Sequence, residues 1–275
     1  MRIGDWEVFG IIDGWGREPG RELCVREGFE GDPWAPHLDL LQEGGWLALS
    51  LGSYLVRGPG RVVLVDLGAG RIANDRYQSG GLPERLRRLG VEPEQVTDVV
   101  FTHLHFDHIG WASRQGKVQF PNATHHVHRV DWAYFVDDPG ARPAGVRKLR
   151  PVEPLVSFVE DGAEAVPGMR LHLTPGHSPG HCVVELAGGG QRVWLIGDLA
   201  HVTFELEERG WHYPFDHDGV QAQQSRAAFV ERVIDTGDLL CAAHFPDLRP
   251  GRLTREGDRV RWQYVEDPDP WAAEA

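Results

Sequence analysis

Short apolar runs recur along the chain, and most of them end at a glycine or at a polar residue. Runs of this length, rich in Val, Ile, Leu and Trp and bounded by turn residues, are typical of strands in a buried sheet. The pattern predicts strands over residues 6–13, 46–50, 53–57, 61–66, 96–101, 124–128, 156–159, 169–174, 181–186, 191–196, 239–243 and 259–265.

Helical patterns lie between these runs. Residues 82–89 fit a short helix closed by Gly90, and residues 131–136 fit another. Residues 220–234 carry apolar side chains at helical spacing, which predicts an amphipathic helix leading into the strand at 239–243. Because strands followed by a helix occur twice, before and after about residue 130, the chain is predicted to have an α/β fold.

Two segments depart from these patterns. Residues 14–45 are rich in Gly, Pro and charge and contain Trp15 and Trp34. Long irregular segments in compact domains are usually functional or disordered. The tryptophans predict that this one packs on the domain, on a substrate or on a second subunit. The acidic residues after Glu266 are expected to fray.

Composition narrows the class of protein. With 275 residues, 41% of them hydrophobic and 25% charged, the chain is expected to form a single domain over residues 1–275. The net charge of −13 argues against nucleic acid as a partner, which needs a basic face. Neither a signal peptide nor a membrane span is evident, and three unpaired cysteines are typical of a cytoplasmic protein, so no membrane partner is expected.

Three histidines and one aspartate fall within six positions, as His103, His105, Asp107 and His108. Neutral imidazole and carboxylate are the groups that zinc and similar ions bind. Alternation along the chain turns His103 and His105 one way and Asp107 the other, and His108 joins Asp107. One loop can therefore serve two metals. The alternative, a solvated histidine-rich turn, is disfavoured by this spacing.

Further candidate ligands follow three later apolar runs. They are His177, Asp198 and His244, and each stands where a predicted strand ends. With these motifs the chain resembles the metallo-β-lactamase superfamily from residue 62 to residue 244. The resemblance implies an αββα four-layer sandwich, with two sheets between outer helices.

The resemblance also implies how the ligands divide. The first metal is held by the residues matching His103, His105 and His177, and the second by those matching Asp107, His108 and His244. Asp198 matches the carboxylate that bridges the two. Two divalent ions per chain are therefore expected, with zinc as the first choice and manganese, cobalt or iron as alternatives.

The region from residue 197 to 246 is most similar to quorum-quenching N-acyl-homoserine lactonases and methyl-parathion-hydrolase-like enzymes. This implies a dinuclear-metal hydrolase that opens lactones, including N-acyl-homoserine lactones, by attack of a hydroxide shared between the metals. Asp107 and Asp198 are the candidate catalytic groups, because either can steer the proton toward the leaving oxygen. The expected partner is a small apolar lactone or ester, and a homodimer is also considered.

Other activities stay open at this point. Organophosphate triesters and aryl or carboxyl esters suit the same site. A glyoxalase-type thioesterase is less favoured, because its basic residues near the C-terminus are not evident. The retained Asp198 disfavours β-lactam hydrolysis. A non-catalytic binding or redox module would lack some ligands, and all seven are present.

Candidate residues beyond the metal ligands are predicted from their positions. Phe106, Trp111 and Phe245 lie close to ligands in sequence and are expected to line an apolar substrate pocket. Many lactonases place a tyrosine shortly after the bridging aspartate, and here His201 and Tyr213 are the candidates for that place. Further predictions assign Asp66 to orienting a ligand imidazole, Asp216 to capping the following helix, and His181 to packing or to supporting the ligands.

Overall fold

The computed structural model describes residues 1–265. In that range the strands are β1 (Arg2–Ile3), β2 (Trp6–Pro19), β3 (Leu41–Gln42), β4 (Trp46–Gly58), β5 (Arg61–Val65), β6 (Ile72–Ala73), β7 (Tyr77–Ser79), β8 (Asp98–Val100), β9 (Ser113–Arg114), β10 (Lys117–Val118), β11 (Thr124–His128), β12 (Val156–Val159), β13 (Glu164–Val166), β14 (Met169–Leu173), β15 (Cys182–Gly188), β16 (Gln191–Leu195), β17 (Leu239–Cys241), β18 (Gly251–Glu256) and β19 (Arg259–Tyr264).

The α-helices of the same residues are α1 (Gly20–Leu23), α2 (Leu82–Arg88), α3 (Arg129–Trp132), α4 (Pro143–Leu149), α5 (Phe204–Glu207) and α6 (Gly219–Val233). A π-helical turn, Ala133–Asp137, continues α3, so the helix predicted at 131–136 is only partly α-helical. The expected fraying of the acidic tail falls on residues 266–275, which lie outside the described part of the chain. The single domain over 1–275 stays a prediction.

Two large sheets contain most of the strands. The first has the order β12-β11-β8-β5-β4-β2-β7-β6, with β1 beside β2 and β3 beside β4, and the second runs from β13 through β19 in the order β13-β14-β15-β16-β17-β18-β19. In each sheet, parallel pairs lie beside antiparallel ones: β5 pairs in parallel with β8, and β16 with β17. These parallel pairs matter for the site, because their carboxyl ends meet at one edge.

The strands predicted at 46–50 and 53–57 form the single strand β4, so their division at a turn around Gly52 is wrong. β4 pairs with β2 over almost its whole length, from Glu7↔Arg57 to Pro19↔Trp46. A Cβ atom at Gly52 would lie 2.4 Å from the backbone oxygen of Ile11. The glycine therefore permits the close approach of β2 and does not mark a turn.

Three buried layers separate the sheets and the helices. Val8, Val56 and Val63 of the first sheet pack against Leu171 and Val184 of the second. On the outer side of the first sheet, residues of α2 and of the α3 region cover Leu55, Leu64 and Val99. On the outer side of the second sheet, residues of α6 cover Trp194 and Leu240. The arrangement is the expected αββα sandwich.

The segment between β2 and β4 packs on the domain itself. Trp34 is buried against Phe204 and Trp211, with ring centroids 5.2 and 5.8 Å away. Two backbone hydrogen bonds join Val25 and His212, each 2.9 Å long. Of the three roles considered for residues 14–45, packing on the domain is the one observed, and the part up to Pro19 belongs to β2.

Candidate metal centre

The ligand candidates lie at one end of the strands of both sheets, and all but His177 follow strands that have a parallel neighbour. β8 is followed by Thr102 and the cluster that begins at His103. β16 is followed by Asp198 and β17 by His244, while His177 lies in the loop between β14 and β15. Because these strand ends meet at one edge of the sandwich, residues far apart in sequence converge on one place.

The first set of ligand atoms is compact and buried. The Nε2 atom of His103 lies 3.0 Å from Nδ1 of His105, which lies 2.8 Å from Nε2 of His177. The Oδ2 atom of Asp198 is 3.4 Å from Nε2 of His177 and 3.8 Å from Nε2 of His103. His105 thus faces the centre with Nδ1, whereas His103 and His177 use Nε2.

The second set adjoins the first through the same carboxylate. Asp198 Oδ1 lies 3.1 Å from Nε2 of His108, and Asp198 Oδ2 lies 3.0 Å from Nε2 of His244. The Oδ2 atom of Asp107 is 3.6 Å from Nε2 of His244, and its Oδ1 atom is 4.0 Å from Nε2 of His108. Asp198 therefore stands between two groups of three ligands, as the resemblance implies.

The donor atoms fit divalent metal ions. A tetrahedral zinc with bonds of about 2.1 Å would place its ligand atoms about 3.4 Å apart, which is close to the separations of both sets. Nε2 of His108 and Oδ1 of Asp198 are buried and face each other over 3.1 Å without hydrogen-bond geometry, and neither atom has another partner within residues 1–265. Such buried polar atoms are costly unless a cation satisfies them. The cluster therefore has both the spacing and the unmet polar groups of a metal centre.

The electrostatics divide the ligand histidines into two groups. Although burial opposes it, the Asp198 carboxylate raises the pKa of His108 and of His244 and helps to raise that of His177 to about 9, so a metal ion has to displace protons from these rings. Burial, together with the neighbouring His108, lowers the pKa of His103 well below its usual value, and burial does the same for His105. Neutral imidazole is the form that binds metal. Although burial opposes ionisation of Asp198, the adjacent His108, His244 and His103 hold its pKa well below the usual range. Asp198 is therefore ionised at neutral pH.

A hydrogen-bond acceptor lies behind several ligand imidazoles. Asp66 Oδ2 is 2.7 Å from Nδ1 of His108, which agrees with the role predicted for Asp66. The backbone oxygen of Ser50 is 2.9 Å from Nδ1 of His244. These contacts fix the ring orientation and leave Nε2 directed at the centre. Asp66 also accepts hydrogen bonds from the backbone and side chain of Thr102, so it links β5 to the ligand loop.

Asp216 has a role that sequence reasoning missed. Its Oδ1 atom lies 2.9 Å from Nδ1 of His177, while the side chain of Asp218 caps α6 by accepting from the backbone N–H of Gln221. The prediction that Asp216 caps the helix is therefore wrong, because the helix starts two residues later. The sequence did contain a signal for this role, because Asp216 and Asp218 flank His217 and only one of them is needed to cap α6.

Two other buried aspartates support the ligand loops without a signal in the sequence. Asp131 accepts hydrogen bonds from the backbone N–H groups of Leu104 and Gly180 and from the hydroxyl of Ser178. It therefore joins the loop of His103 to the loop of His177, and burial raises its pKa to about 6. Asp13, on β2, accepts from four donors, the backbone N–H groups of Ala69, Gly70 and Leu82 and the indole of Trp111. These bonds tie the loop that follows Asp66 to the sheet.

His181 supports the ligands, which is one of the two roles predicted for it; the other was packing. Its Nε2 atom accepts a hydrogen bond from the backbone N–H of Asp198 over 3.1 Å, and its Nδ1 atom lies 2.9 Å from the hydroxyl of Thr174. Burial lowers the pKa of His181 to about 3, so the ring is neutral and free to accept. The bridging carboxylate is thus held at its backbone as well as by its ligand neighbours.

Three of the five predicted pocket residues lie beside the ligands. His201 is buried, with Nε2 3.6 Å from Asp198 Oδ2, and its ring lies 4.4 Å from that of Tyr213. Burial, with the charges of Asp107 and Asp198, raises the pKa of Tyr213, so its hydroxyl keeps its proton and can donate. Phe106 is half exposed and packs against Tyr77.

The other two predicted pocket residues lie in the core. Phe245 is fully buried and packs against Trp262, with ring centroids 5.0 Å apart. Trp111 is 3% exposed, and its indole nitrogen donates to Asp13. Closeness to a ligand in sequence did not bring either ring to the open side of the site, because each side chain turns back under its loop to complete an apolar layer.

Comparison with known proteins identifies the family. The family model of the metallo-beta-lactamase superfamily matches residues 53–244, which contain all seven ligand candidates. The chain belongs to the metallo-β-lactamase superfamily. The predicted fold and family are both confirmed.

Curated relatives of this metallo-β-lactamase-fold protein include N-acyl homoserine lactonases. One from Bacillus thuringiensis is 28% identical over 158 residues, which are 51% of this chain and 60% of the relative. Another, AttM from Azorhizobium caulinodans, is 30% identical over 187 residues, 62% of this chain and 66% of the relative. The chain thus spans about three fifths of the length of the curated relatives it matches.

Solved structures agree in fold over nearly the whole chain. AidC, described as a dizinc quorum-quenching lactonase in complex with a product, has a TM-score of 0.84 at 23% identity and covers 97% of both chains. AbOPH, described as a hydrolase in the beta lactamase superfamily, also has a TM-score of 0.84 at 23% identity, covering 98% of this chain and 97% of that one. In residues 1–265, no helix of this metallo-β-lactamase-fold protein has the length and apolar character of a membrane span.

Proposed function

We propose that this protein is a metal-dependent hydrolase that opens lactones, N-acyl-homoserine lactones among them. The observation that carries the proposal is the position of Asp198, whose carboxylate lies between two sets of buried ligands. The curated relatives named N-acyl homoserine lactonase favour lactones over other esters. A homodimer and a cytoplasmic location stay predictions.

The ligand set suits two divalent ions, with zinc proposed because four-coordinate histidine and carboxylate sites are typical of it. Such ions would supply a water that ionises near neutral pH and a Lewis acid for the carbonyl oxygen. Asp107 is the more accessible of the two carboxylates, with 11% of its side chain exposed against 4% for Asp198. We assign to Asp107 the transfer of a proton to the leaving oxygen, and to Asp198 the holding of both ligand sets together.

The open side of the site suits an apolar, uncharged substrate. Three exposed aromatic side chains, Phe106, Tyr134 and Phe215, with 50%, 42% and 71% exposure, form what we call the aromatic rim. Tyr134 packs against His217, and Phe215 against Tyr213. Apolar side chains at the mouth of a polar site favour an acyl chain outside and a carbonyl inside. Dianionic phosphomonoesters should bind poorly.

A second candidate substrate is an uncharged organophosphate triester. The observation that favours it is the sequence after Asp198, where Leu199, Ala200 and His201 stand in place of an early tyrosine. Tyr213 nonetheless reaches the same side of the site, 5.8 Å from the ring of His177. Because a donor hydroxyl is therefore present, we place lactones first and triesters second.

A hydrolysis screen tests the proposal. The zinc-loaded protein should be assayed on N-acyl-homoserine lactones, simple lactones, aryl esters, paraoxon-type triesters and phosphomonoesters. The expected order of kcat/KM is lactones first, triesters and aryl esters lower, and phosphomonoesters lowest. A clear preference for a phosphomonoester, a nucleic acid or a β-lactam over every lactone would overturn it.

A further inference from the structure

His201 belongs to the site although it is not one of the seven ligands. It is 4% exposed, and its ring stacks on that of His244 with centroids 5.5 Å apart and planes within 6° of parallel. Its Nε2 atom lies 3.6 Å from Asp198 Oδ2. A substrate that approaches Asp198 from the side of Tyr213 would therefore meet this imidazole.

One carboxylate, Glu205, holds the residue in that place. Glu205 Oε2 accepts hydrogen bonds from the backbone N–H groups of His201 and Val202, over 2.6 and 3.2 Å. The same oxygen lies 3.6 Å from Nδ1 of His201, and within residues 1–265 this buried nitrogen has no hydrogen-bond partner. A single oxygen thus fixes the backbone of His201 and faces its ring.

Burial of Glu205 needs a reason, because an isolated buried carboxylate is strongly disfavoured. The reason is Arg226 on α6, whose Nη1 lies 2.7 Å from Glu205 Oε1. Although burial raises the pKa of Glu205, the charge of Arg226 and the adjacent His201 hold it at about 2. Arg226 also donates to the backbone oxygens of Leu199 and Trp211, so it ties both ends of the loop to α6.

The arrangement matches that of two ligand histidines. Asp66 lies behind His108 and Asp216 behind His177, in each case on Nδ1, so that Nε2 faces the centre. Glu205 stands in the same relation to His201 but 3.6 Å away, and it also binds the backbone. A carboxylate behind an imidazole fixes the ring orientation and tautomer.

We propose that Glu205, held by the buried Arg226, is a positioning residue that sets His201 against the substrate side of Asp198. The inference rests on the proposed function, since His201 acts on the ester that the site hydrolyses. Arg226 acts only through Glu205 and through the ends of the loop. Glu205 and Arg226 therefore affect kcat through His201, without contacting the substrate.

A double-mutant cycle tests this assignment. Glu205→Gln should lower kcat about tenfold while KM stays within about twofold, because orientation is lost and binding is kept. Metal content should be unchanged. In a His201→Ala background, Glu205→Gln should have no further effect on kcat. Glu207→Gln is the matched control on the same helix: its carboxylate binds Arg261 and the backbone of Trp262, so kcat should not change.

Several results would contradict the positioning role of Glu205. Equal losses from Glu205→Gln with and without His201 would make Glu205 a general structural residue, and wild-type kcat for Glu205→Gln would remove its role. If Glu205→Gln does not fold, Glu205→Asp keeps the charge beside Arg226 but retracts it from His201. The shorter side chain should then lower kcat in the wild type and not in His201→Ala, and equal loss in both would overturn the proposal.

A second readout separates this inference from the proposed function. In the zinc-loaded protein, ¹⁵N NMR of the imidazoles should show the His201 signals moving in Glu205→Gln, while those of the ligand histidines stay in place. If the wild type hydrolyses no ester but the His201 signals move, the proposed function fails and the positioning role survives. If the His201 signals do not move, the positioning role fails even where hydrolysis is found.

Discussion

The metal-ligand cluster and the aromatic rim are neighbouring regions built on opposite principles. Five of the seven ligand candidates are at or below 5% exposure, and the acceptors that orient the ligand imidazoles come from separate elements. The rim residues Phe106, Tyr134 and Phe215 are 42–71% exposed. Their rings pack against Tyr77, His217 and Tyr213, respectively. The cluster is held by buried contacts on several sides, whereas the rim side chains face solvent.

This difference predicts where mutations act. Changes in the cluster should alter metal content and kcat, because the geometry of the ligands sets the chemistry. Changes in the rim should alter KM and substrate preference, because the rim contributes apolar contact area.

The largest effect is expected for Asp107→Asn. The variant keeps the size of the side chain but loses the charge and the proton acceptor. With excess metal, lactone turnover should fall about 10³-fold while the circular dichroism spectrum stays native. Asp39→Asn, at an exposed aspartate, is the control and should be fully active. Near-wild-type turnover of metal-loaded Asp107→Asn would remove the role given to Asp107.

The next effect concerns the acceptor behind His177. Asp216→Asn weakens the contact to Nδ1 of His177, so the affinity for metal should fall by about 10- to 100-fold, measured by chelator competition. Asp218→Asn is a matched control two residues away, because asparagine caps a helix as well as aspartate does. Equal metal affinity in both variants would show that Asp216 does not orient the ligand.

Changes in the rim should be smaller and should depend on the substrate. Phe106→Ala and Phe215→Ala each remove apolar area at the mouth, so KM for a long-chain acyl lactone should rise several-fold, with about 1 kcal/mol of binding lost. KM for a short-chain lactone, kcat and metal content should stay near wild type. If the long and short chains are affected alike, the rim does not contact the acyl chain.

The smallest effect on activity is expected at Phe245, which was predicted from sequence to line the pocket and lies in the core. Phe245→Leu should leave KM within about twofold of wild type but lower the free energy of unfolding by about 1 kcal/mol, because a ring packed on Trp262 is replaced by a smaller side chain. A rise in KM at unchanged stability would return Phe245 to the pocket.

The convergence of the ligand candidates could be predicted from the sequence because the information for it is local. Each ligand follows a short apolar strand, and parallel strands end at one edge, so spacing alone brings His103, Asp198 and His244 together. Asp66 could be predicted for the same reason, since it directly follows β5. The acceptor for His177 could not, because Asp216 lies in a loop whose path depends on where α6 begins.

The pocket residues could not be predicted from the spacing of motifs along the sequence. Whether an aromatic ring faces the substrate or the core is decided by the tertiary contacts of its loop. Phe106 is half exposed. The ring of Phe245 packs against Trp262, and the indole N–H of Trp111 donates to Asp13. The prediction divided the long strand β4 into two for a similar reason. In sequence Gly52 resembles a turn residue, but in the structure it allows β2 to lie close to β4.

The central claim is that Asp198 joins two metal sites into one hydrolytic centre. The most direct test is the metal content per chain, measured by elemental analysis after dialysis, alongside turnover of an N-acyl-homoserine lactone. The wild type should retain two equivalents and turn over the lactone, and Asp198→Ala should retain at most one equivalent and be inactive. One equivalent in an active wild type, or two equivalents in an active Asp198→Ala, would contradict the account.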